Sequence, residues 1–203
     1  MKTLSLFKFL IVFALWLLPG ISHAQNTILV FGDSLSAGYG VPREAAWVSL
    51  LQQELQRSHP QYKVINASIS GETSSGGVQR MAGALRQHQP GIVILELGAN
   101  DGLRGTSLGV TEKNLGTLIR QAKGAKCKVL LLGMQLPPNY GADYTTRFKT
   151  LYVRLAQRHQ VALLPFMLQG VPAEQFQADN LHPNAEAQPL IMQSVLQKLK
   201  PLL

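Results

Sequence analysis

Short runs with apolar centres alternate with longer amphipathic stretches along most of this 203-residue sequence, and this alternation limits the possible folds. Strands that alternate with helices pair in parallel and are covered on both faces. The pattern therefore predicts a single α/β domain with a five-stranded parallel sheet and helices on both faces. The predicted strands are 27–31, 63–66, 92–95, 128–132 and 161–164. The predicted helices are 44–57, 78–88, 111–123 with Thr111 as its N-cap, one through 144–155, and one from about 185.

The first 24 residues have the pattern of a secretory signal. Lys2 and Lys8 precede an apolar run over 9–18, and small residues lead up to Ala24. About ten apolar residues are too few to cross a bilayer, which needs roughly 20. We therefore predict a cleaved signal over 1–24, one domain over 25–203 and a periplasmic or secreted bacterial protein. An N-terminal membrane anchor or a core helix is the alternative.

The net charge does not predict a nucleic-acid partner. The chain has 19 Lys and Arg against 11 Asp and Glu, a formal charge of +8, but these residues are scattered rather than grouped with aromatic residues. A single cysteine, Cys127, excludes an internal disulfide framework. Neither an HExxH pattern nor a Cys/His cluster is present in the sequence, so we expect no metal and no metallohydrolase.

Polar residues follow the predicted strands at the points where functional groups gather in an open parallel sheet. Ser34 follows the first strand, and Asp179 and His182 lie three residues apart before the last helix. A serine hydroxyl needs an adjacent base, and that base needs a partner to fix its tautomer. The spacing predicts that Asp179 binds His182 Nδ1 while Nε2 faces Ser34.

Three groups could donate hydrogen bonds to an oxyanion that develops beside Ser34. They are the amide of Ser34, the amide of Gly71 after the second strand, and the side-chain amide of Asn100 after the third. Glycine at position 71 also leaves room for an approaching substrate. Asp33 and Asp101, which neighbour these residues, are predicted to have structural roles.

Simpler interpretations exist for two of these segments. Ser34 could be only a helix N-cap, as serine often is where a strand leads into a helix. Residues 71–77 could suggest a phosphate-binding loop, but they lack the Lys-Ser/Thr ending of a P-loop.

Four motifs occur in the order found in the SGNH (GDSL) hydrolase superfamily. They are Gly-Asp-Ser-Leu at 32–35, the glycine at 71, Gly-x-Asn-Asp at 98–101 and Asp-x-x-His at 179–182. Segments 66–71, 96–105 and 136–141 are similar to the periplasmic thioesterase I branch. The sequence departs from that pattern at Glu72, Ala99 and Asn180-Leu181, none of which is a catalytic group.

The resemblance implies a flavodoxin-like three-layer α/β/α sandwich with strand order 2-1-3-4-5. It implies Ser34, Asp179 and His182 as a catalytic triad, Gly71 and Asn100 in the oxyanion hole, and no cofactor. The branch acts as acyl-CoA thioesterase, lysophospholipase and arylesterase, so we expect a monomeric hydrolase of acyl esters and thioesters without a stable membrane anchor. The residues predicted to bind the acyl chain are Leu103, Leu108, Leu136, Pro137 and Tyr140.

Two other functions remain open at this point. The same triad could serve a carbohydrate O-acetylesterase, because it can transfer small acyl groups as well as long ones. A non-catalytic lipid-binding module is the alternative outside enzymes.

Overall fold

Five parallel strands form one sheet in the computed structural model, which describes residues 26–203. The predicted signal over 1–24 lies outside the described residues. The spatial order of the strands is β2-β1-β3-β4-β5, and every neighbouring pair is parallel, which confirms the predicted order. The strands are β1 (Thr27–Gly32), β2 (Lys63–Asn66), β3 (Ile92–Glu96), β4 (Lys128–Leu132) and β5 (Ala162–Leu164).

Seven α-helices in the described part of the chain cover the sheet in two layers. Helix α2 packs against α7, whereas α3, α5 and α6 pack side by side, which confirms the three-layer sandwich. The helices are α1 (Ser34–Ala37), α2 (Trp47–Ser58), α3 (Ser74–His88), α4 (Ala99–Leu103), α5 (Leu108–Gly124), α6 (Ala142–His159) and α7 (Gln188–Leu199).

The central strands carry the core. Residues 28–31 of β1 and 93–95 of β3 are fully buried, and 130–132 of β4 are as well. The edge strands β2 and β5 are only partly buried. Continuous apolar runs therefore mark the strands that have helices over both faces and a strand on each side.

Helices α2 and α3 start at other residues than predicted because hydrogen bonds to side chains outside each helix fix their first turns. Helix α2 begins at Trp47 instead of 44, since Ala46 is extended and the Trp47 N–H donates to the Gln188 side chain at 3.0 Å. Helix α3 begins at Ser74 instead of 78, after Thr73, whose hydroxyl accepts from the Gly76 N–H at 3.2 Å.

The prediction of Thr111 as an N-cap was wrong. Helix α5 begins three residues earlier at Leu108, after Ser107. Thr111 lies within the first turn, where its hydroxyl donates to the Ser107 carbonyl at 3.4 Å.

The chain leaves β1 and β3 in opposite directions. β1 leads to β2 on one side of the sheet, and β3 leads to β4 on the other. Such a switch in direction opens a crevice at the carboxyl ends of the two strands, where ligands bind in open α/β sheets. The segments that follow Gly32 and Glu96 border this crevice.

Candidate active site

The turn that carries Ser34 is held by its neighbours. Asp33 is buried, and its side chain accepts from the Leu35 N–H at 3.1 Å, so that it caps α1. Gly32 is required by close packing, because a Cβ there would lie 2.5 Å from a Glu96 carboxyl oxygen and 2.9 Å from the Ser36 hydroxyl. Ser34 is the first residue of this short helix, and its side chain is partly accessible. Asp33, rather than Ser34, is the N-cap.

A tight loop near the end of the chain carries Asp179 and His182. The Gln177 N–H donates to the His182 carbonyl at 2.7 Å, and the Asn180 N–H donates to the Gln177 carbonyl at 2.9 Å. Asn180 adopts a left-handed conformation with φ 56°. The Gln177 side-chain amide donates to the Tyr39 carbonyl at 2.8 Å and thereby ties this loop to the segment after α1.

The structure brings Ser34, His182 and Asp179 into one hydrogen-bonded line. Ser34 Oγ lies 2.8 Å from His182 Nε2, and His182 Nδ1 lies 2.6 Å from Asp179 Oδ2. When Nδ1 donates to the carboxylate, Nε2 is left to accept the serine hydroxyl proton. The Tyr39 ring packs against the imidazole with ring centroids 4.7 Å apart. This arrangement can activate a serine as a nucleophile.

Asp179 is ionised in this setting. Burial raises its pKa, but the N–H groups of His182 and Leu181, which donate to Oδ1 at 3.0 and 2.9 Å, outweigh that effect. The His182 side chain adds a hydrogen bond and a favourable charge, and together these contacts lower the pKa of Asp179 to about 2. The carboxylate is therefore available to orient the imidazole at any pH above that range.

Asn100 lies at the start of α4, close to the turn that carries Ser34. Its Nδ2 donates to the Glu72 carbonyl at 3.0 Å and to Asp33 Oδ2 at 3.2 Å. The turn that contains Gly71 is closed by the Glu72 N–H on the Ile69 carbonyl at 3.1 Å, and Gly71 has φ 78°. The structure thus places Asn100 in contact with Asp33, which precedes Ser34, and with Glu72, which follows Gly71.

An apolar cleft of about 340 Å³ opens beside the serine. Its walls come from the turn that carries Ser34, from α4, from the segments after β4 and β5, and from the loop that carries Asp179 and His182 (the histidine loop). Of the five residues predicted to bind an acyl chain, Leu103, Leu136 and Pro137 line this cleft. The other apolar residues of the walls, which were not predicted to bind an acyl chain, are Leu35, Ala99, Met134, Phe166, Leu168, Phe176 and Leu181.

Leu108 and Tyr140 do not line the cleft. Leu108 was expected in a loop, but it is the first residue of α5 and is buried in the core. Tyr140 lies at the surface, and its hydroxyl donates to the Leu103 carbonyl at 3.2 Å. Gly71 is exposed and lies outside the cleft lining as well.

Two further predictions concern residues next to the site. Asp101 is buried and accepts from the Ser74 N–H at 2.8 Å, and so it joins α4 to the start of α3. Asp33 is buried beside Glu96, a second carboxyl that the sequence interpretation did not single out. The only sequence signal for Glu96 was a charged residue at the end of an otherwise apolar strand.

Within residues 26–203, no three His, Cys, Asp or Glu side chains are close enough together to hold a metal ion. None of the helices in that range has both the length and the apolar character that crossing a membrane requires.

Comparisons with known proteins agree with this geometry. Residues 30–189 match the model of the GDSL-like Lipase/Acylhydrolase family. The chain is 46% identical over 182 residues to "Esterase TesA" of Pseudomonas aeruginosa, covering 89% of this chain and 90% of that protein. It is 43% identical over 181 residues to "Thioesterase 1/protease 1/lysophospholipase L1" of Escherichia coli K12, covering 88% and 86%. The crystal structure of TesA superposes with a TM-score of 0.85 at 45% identity, covering 87% of this chain and 99% of that one. The chain therefore belongs to the GDSL-like lipase/acylhydrolase family, the SGNH hydrolases that its motifs resemble.

Proposed function

We propose that this protein is a serine esterase and thioesterase that cleaves fatty acyl groups through an acyl-Ser34 intermediate. The observation that carries the proposal is the line from Ser34 through His182 to Asp179 at the mouth of an apolar cleft. The names of the relatives, an esterase and a thioesterase 1/lysophospholipase L1, support the same reaction class. Acyl-CoA thioesters, lysophospholipids and aryl esters are the proposed substrates.

In the first half of the reaction, Ser34 Oγ attacks the acyl carbonyl carbon while His182 Nε2 takes the hydroxyl proton. Asp179 stabilises the imidazolium that forms, through the 2.6 Å contact with Nδ1. The tetrahedral intermediate then expels the thiol or alcohol, which receives its proton from His182. In the second half, His182 deprotonates a water that attacks the acyl-serine and releases the fatty acid.

The oxyanion needs donors that are in place before the reaction begins. We assign this role to the amides of Ser34 and Gly71 and to Asn100 Nδ2. Of the two hydrogens on Nδ2, the one on the Glu72 carbonyl holds the amide in place. The other makes the longer contact of 3.2 Å with Asp33 and can be shared with the oxyanion.

The cleft favours medium and long acyl chains over acetyl groups. Its walls near the serine are apolar, with Leu103, Leu136 and Phe166 among them, and each buried methylene contributes about 0.8 kcal/mol to binding. We expect kcat/KM to rise from p-nitrophenyl acetate to the octanoate ester. A preference for acetate would favour a carbohydrate O-acetylesterase instead.

Replacing the proposed nucleophile tests the mechanism. Ser34→Ala should abolish hydrolysis of p-nitrophenyl octanoate and covalent labelling by a fluorophosphonate, because both require the hydroxyl. Ser58→Ala is the matched control, since Ser58 is an exposed serine at the far end of α2 that donates to the Glu54 carbonyl. Turnover that survives in Ser34→Ala would reject the assignment, and an unlabelled wild-type protein would indicate a lipid-binding module.

We also propose that the first 24 residues are a cleaved signal and that the mature protein is a periplasmic or secreted monomer. The apolar run behind two lysines supports the signal. Mass spectrometry of the secreted or periplasmic protein should give an N-terminus at Gln25. Size-exclusion chromatography should give the apparent mass of a single chain. An intact Met1 in the purified protein would contradict cleavage.

A further inference from the structure

Two carboxyl side chains are buried together behind the nucleophile. Asp33 is 1% exposed and Glu96 is completely buried. Asp33 directly follows β1, and Glu96 ends the adjacent strand β3, where it pairs with Gly32. The Asp33 N–H donates to Glu96 Oε2 at 3.2 Å, which brings the two carboxyl groups close together. Two buried negative charges in contact are strongly unfavourable unless a proton or a cation compensates them.

An inventory of the four carboxyl oxygens shows where a proton fits. Asp33 Oδ1 accepts from the Leu35 N–H, and Oδ2 accepts from Asn100 Nδ2. Glu96 Oε2 accepts from the Asp33 N–H and from the Ser36 hydroxyl at 2.7 Å. Glu96 Oε1 is buried and has no donor among the described residues. If Glu96 is a carboxylic acid with its proton on Oε1, this oxygen can donate a hydrogen bond.

We propose that Glu96 is a neutral carboxylic acid that donates its proton to the Asp33 carboxylate, and that this pair positions Asn100 for the oxyanion. The proposal rests on the proposed function for the role of Asn100, but the location of the proton does not. Asp33 and Glu96 are positioning residues, because Glu96 is completely buried and Asp33, which borders the cleft but is only 1% exposed, acts through Asn100.

The surroundings of the pair favour one shared proton. Burial raises the pKa of Glu96 well above its ordinary value, and the charge of Asp33 raises it further. Burial also raises the pKa of Asp33 to about 6, although donors and the charge of His182 act to lower it. The other titratable groups that act here are Tyr152 of α6, whose hydroxyl donates to the Leu97 carbonyl at 3.0 Å, and Asp101 of α4, which acts on Tyr152. Of these groups, His182 is the only one that can carry a positive charge, and in the proposed reaction it acts as the base for Ser34.

The proton on Glu96 affects Asn100 because it changes the strength of the hydrogen bond from Asn100 Nδ2 to Asp33. A carboxylate that already accepts from Glu96 is a weaker acceptor for Asn100 Nδ2 than a free one. Asn100 is then held in orientation while its hydrogen is still available to the oxyanion. Without the Glu96 donor, Asp33 would bind that hydrogen more strongly, and the transition state would lose part of its stabilisation.

Infrared spectroscopy tests the location of the proton without any substrate. A protonated carboxylic acid has a carbonyl stretch at higher frequency than an ionised carboxylate. We expect the wild-type protein at neutral pH to show such a band, and Glu96→Gln to lose it. Glu112→Gln is the matched control and should keep it, because a hydrogen bond from Arg154 lowers the pKa of Glu112 and leaves that group ionised. A wild-type protein without the band, or a band that survives in Glu96→Gln, would overturn the proposal.

Kinetics test the connection to Asn100. Glu96→Ala should lower kcat for p-nitrophenyl octanoate about tenfold with little change in KM, whereas Glu96→Gln, which still donates, should restore most of kcat. In an Asn100→Ala background, Glu96→Ala should change kcat less than about twofold, because its target is gone. Equal losses in both backgrounds would show that Glu96 does not act through Asn100. Turnover and labelling that survive in Ser34→Ala would refute the proposed function. The infrared result does not depend on Ser34 and would still locate the proton.

Discussion

Asn100 has several tasks in the proposed reaction, and its amide is well suited to them. It carries two donors and no charge, so it can be fixed by the Glu72 carbonyl and still face a developing negative charge. An aspartate at this position would repel the oxyanion, and a lysine would need space that a half-buried site beside Asp33 does not offer.

Truncation of Asn100 gives a prediction at the level of one residue. Asn100→Ala should lower kcat by roughly 10²–10³, the usual loss for one oxyanion donor, with KM nearly unchanged. Steady-state kinetics on p-nitrophenyl octanoate measures both constants. Asn114→Ala is the control for losing a partly buried amide with a single side-chain contact, the Ser74 hydroxyl at 3.1 Å. A change confined to KM would mean that Asn100 only positions the substrate.

Single residues also show which parts of the candidate site a sequence pattern can locate and which it cannot. Ser34, Asp179 and His182 were predicted because nucleophilic chemistry requires those residue types, and each stands beside a turn signal. Glu96 was missed because its partner is 63 residues away and only the strand register brings the two carboxyls together. Phe166 in the cleft was missed for a similar reason, since nothing in the pattern after β5 indicates which way the chain turns.

At the level of elements, the histidine loop depends on one unusual backbone conformation. Asn180 lies between Asp179 and His182 with a positive φ, which asparagine and glycine tolerate better than other residues. The N–H groups of Leu181 and His182 reach Asp179 Oδ1 only with this bend.

A substitution in this loop should therefore act through the backbone. Asn180→Val should cost roughly 1–2 kcal/mol, because a β-branched residue is strained at positive φ. We expect a lower Tm and a kcat reduced about tenfold, as the Asp179–His182 contact loosens. Asn180→Gly is the comparison, since it removes the same side chain without the strain and should keep the Tm close to the wild-type value. Equal losses in both variants would mean that the side chain matters rather than the backbone.

Elements also differ in how well the sequence predicts them. The strands of the core were found because residues buried on both faces must be apolar in succession. The start of α3 was predicted four residues too late, because its Gly- and Ser-rich first turn is stabilised by the Thr73 cap rather than by its own propensity. A pattern of apolar spacing cannot detect a helical turn that has no apolar residues.

At the scale of the whole molecule, the buried carboxyl pair makes stability depend on pH. Because the folded pKa of Glu96 lies above its ordinary value of 4.5, the folded chain holds a proton that the unfolded chain releases. This contribution to the free energy of unfolding is fully present below pH 4.5 and is lost as the pH rises towards the folded pKa. Asp33, whose pKa is raised from 3.8 to about 6, acts in the same direction. Asp179 acts in the opposite direction and loses its contribution as the pH falls from 3.8 towards 2.

Urea unfolding of a neutral variant should show this dependence. The free energy of unfolding of Glu96→Gln should increase relative to wild type by up to about 1.4 kcal/mol for each pH unit above 4.5. For Glu112→Gln, whose carboxylate has a lowered pKa, the difference from wild type should not grow over that range. A gap between Glu96→Gln and wild type that stays constant from pH 4 to pH 8 would contradict a raised pKa for Glu96.

The Gln177 contacts that join the two ends of the site have a consequence for biosynthesis. The proposed nucleophile, Ser34, is synthesised well before its proposed base, His182, and the Gln177 side chain ties the loop of His182 back to the Tyr39 carbonyl. A polypeptide synthesised only as far as Asp179 therefore carries the serine without its proposed base. In the proposed reaction, hydrolytic competence therefore arises only after residue 182 has been synthesised, and the appearance of activity during refolding reports that the segments around residues 34 and 182 have met.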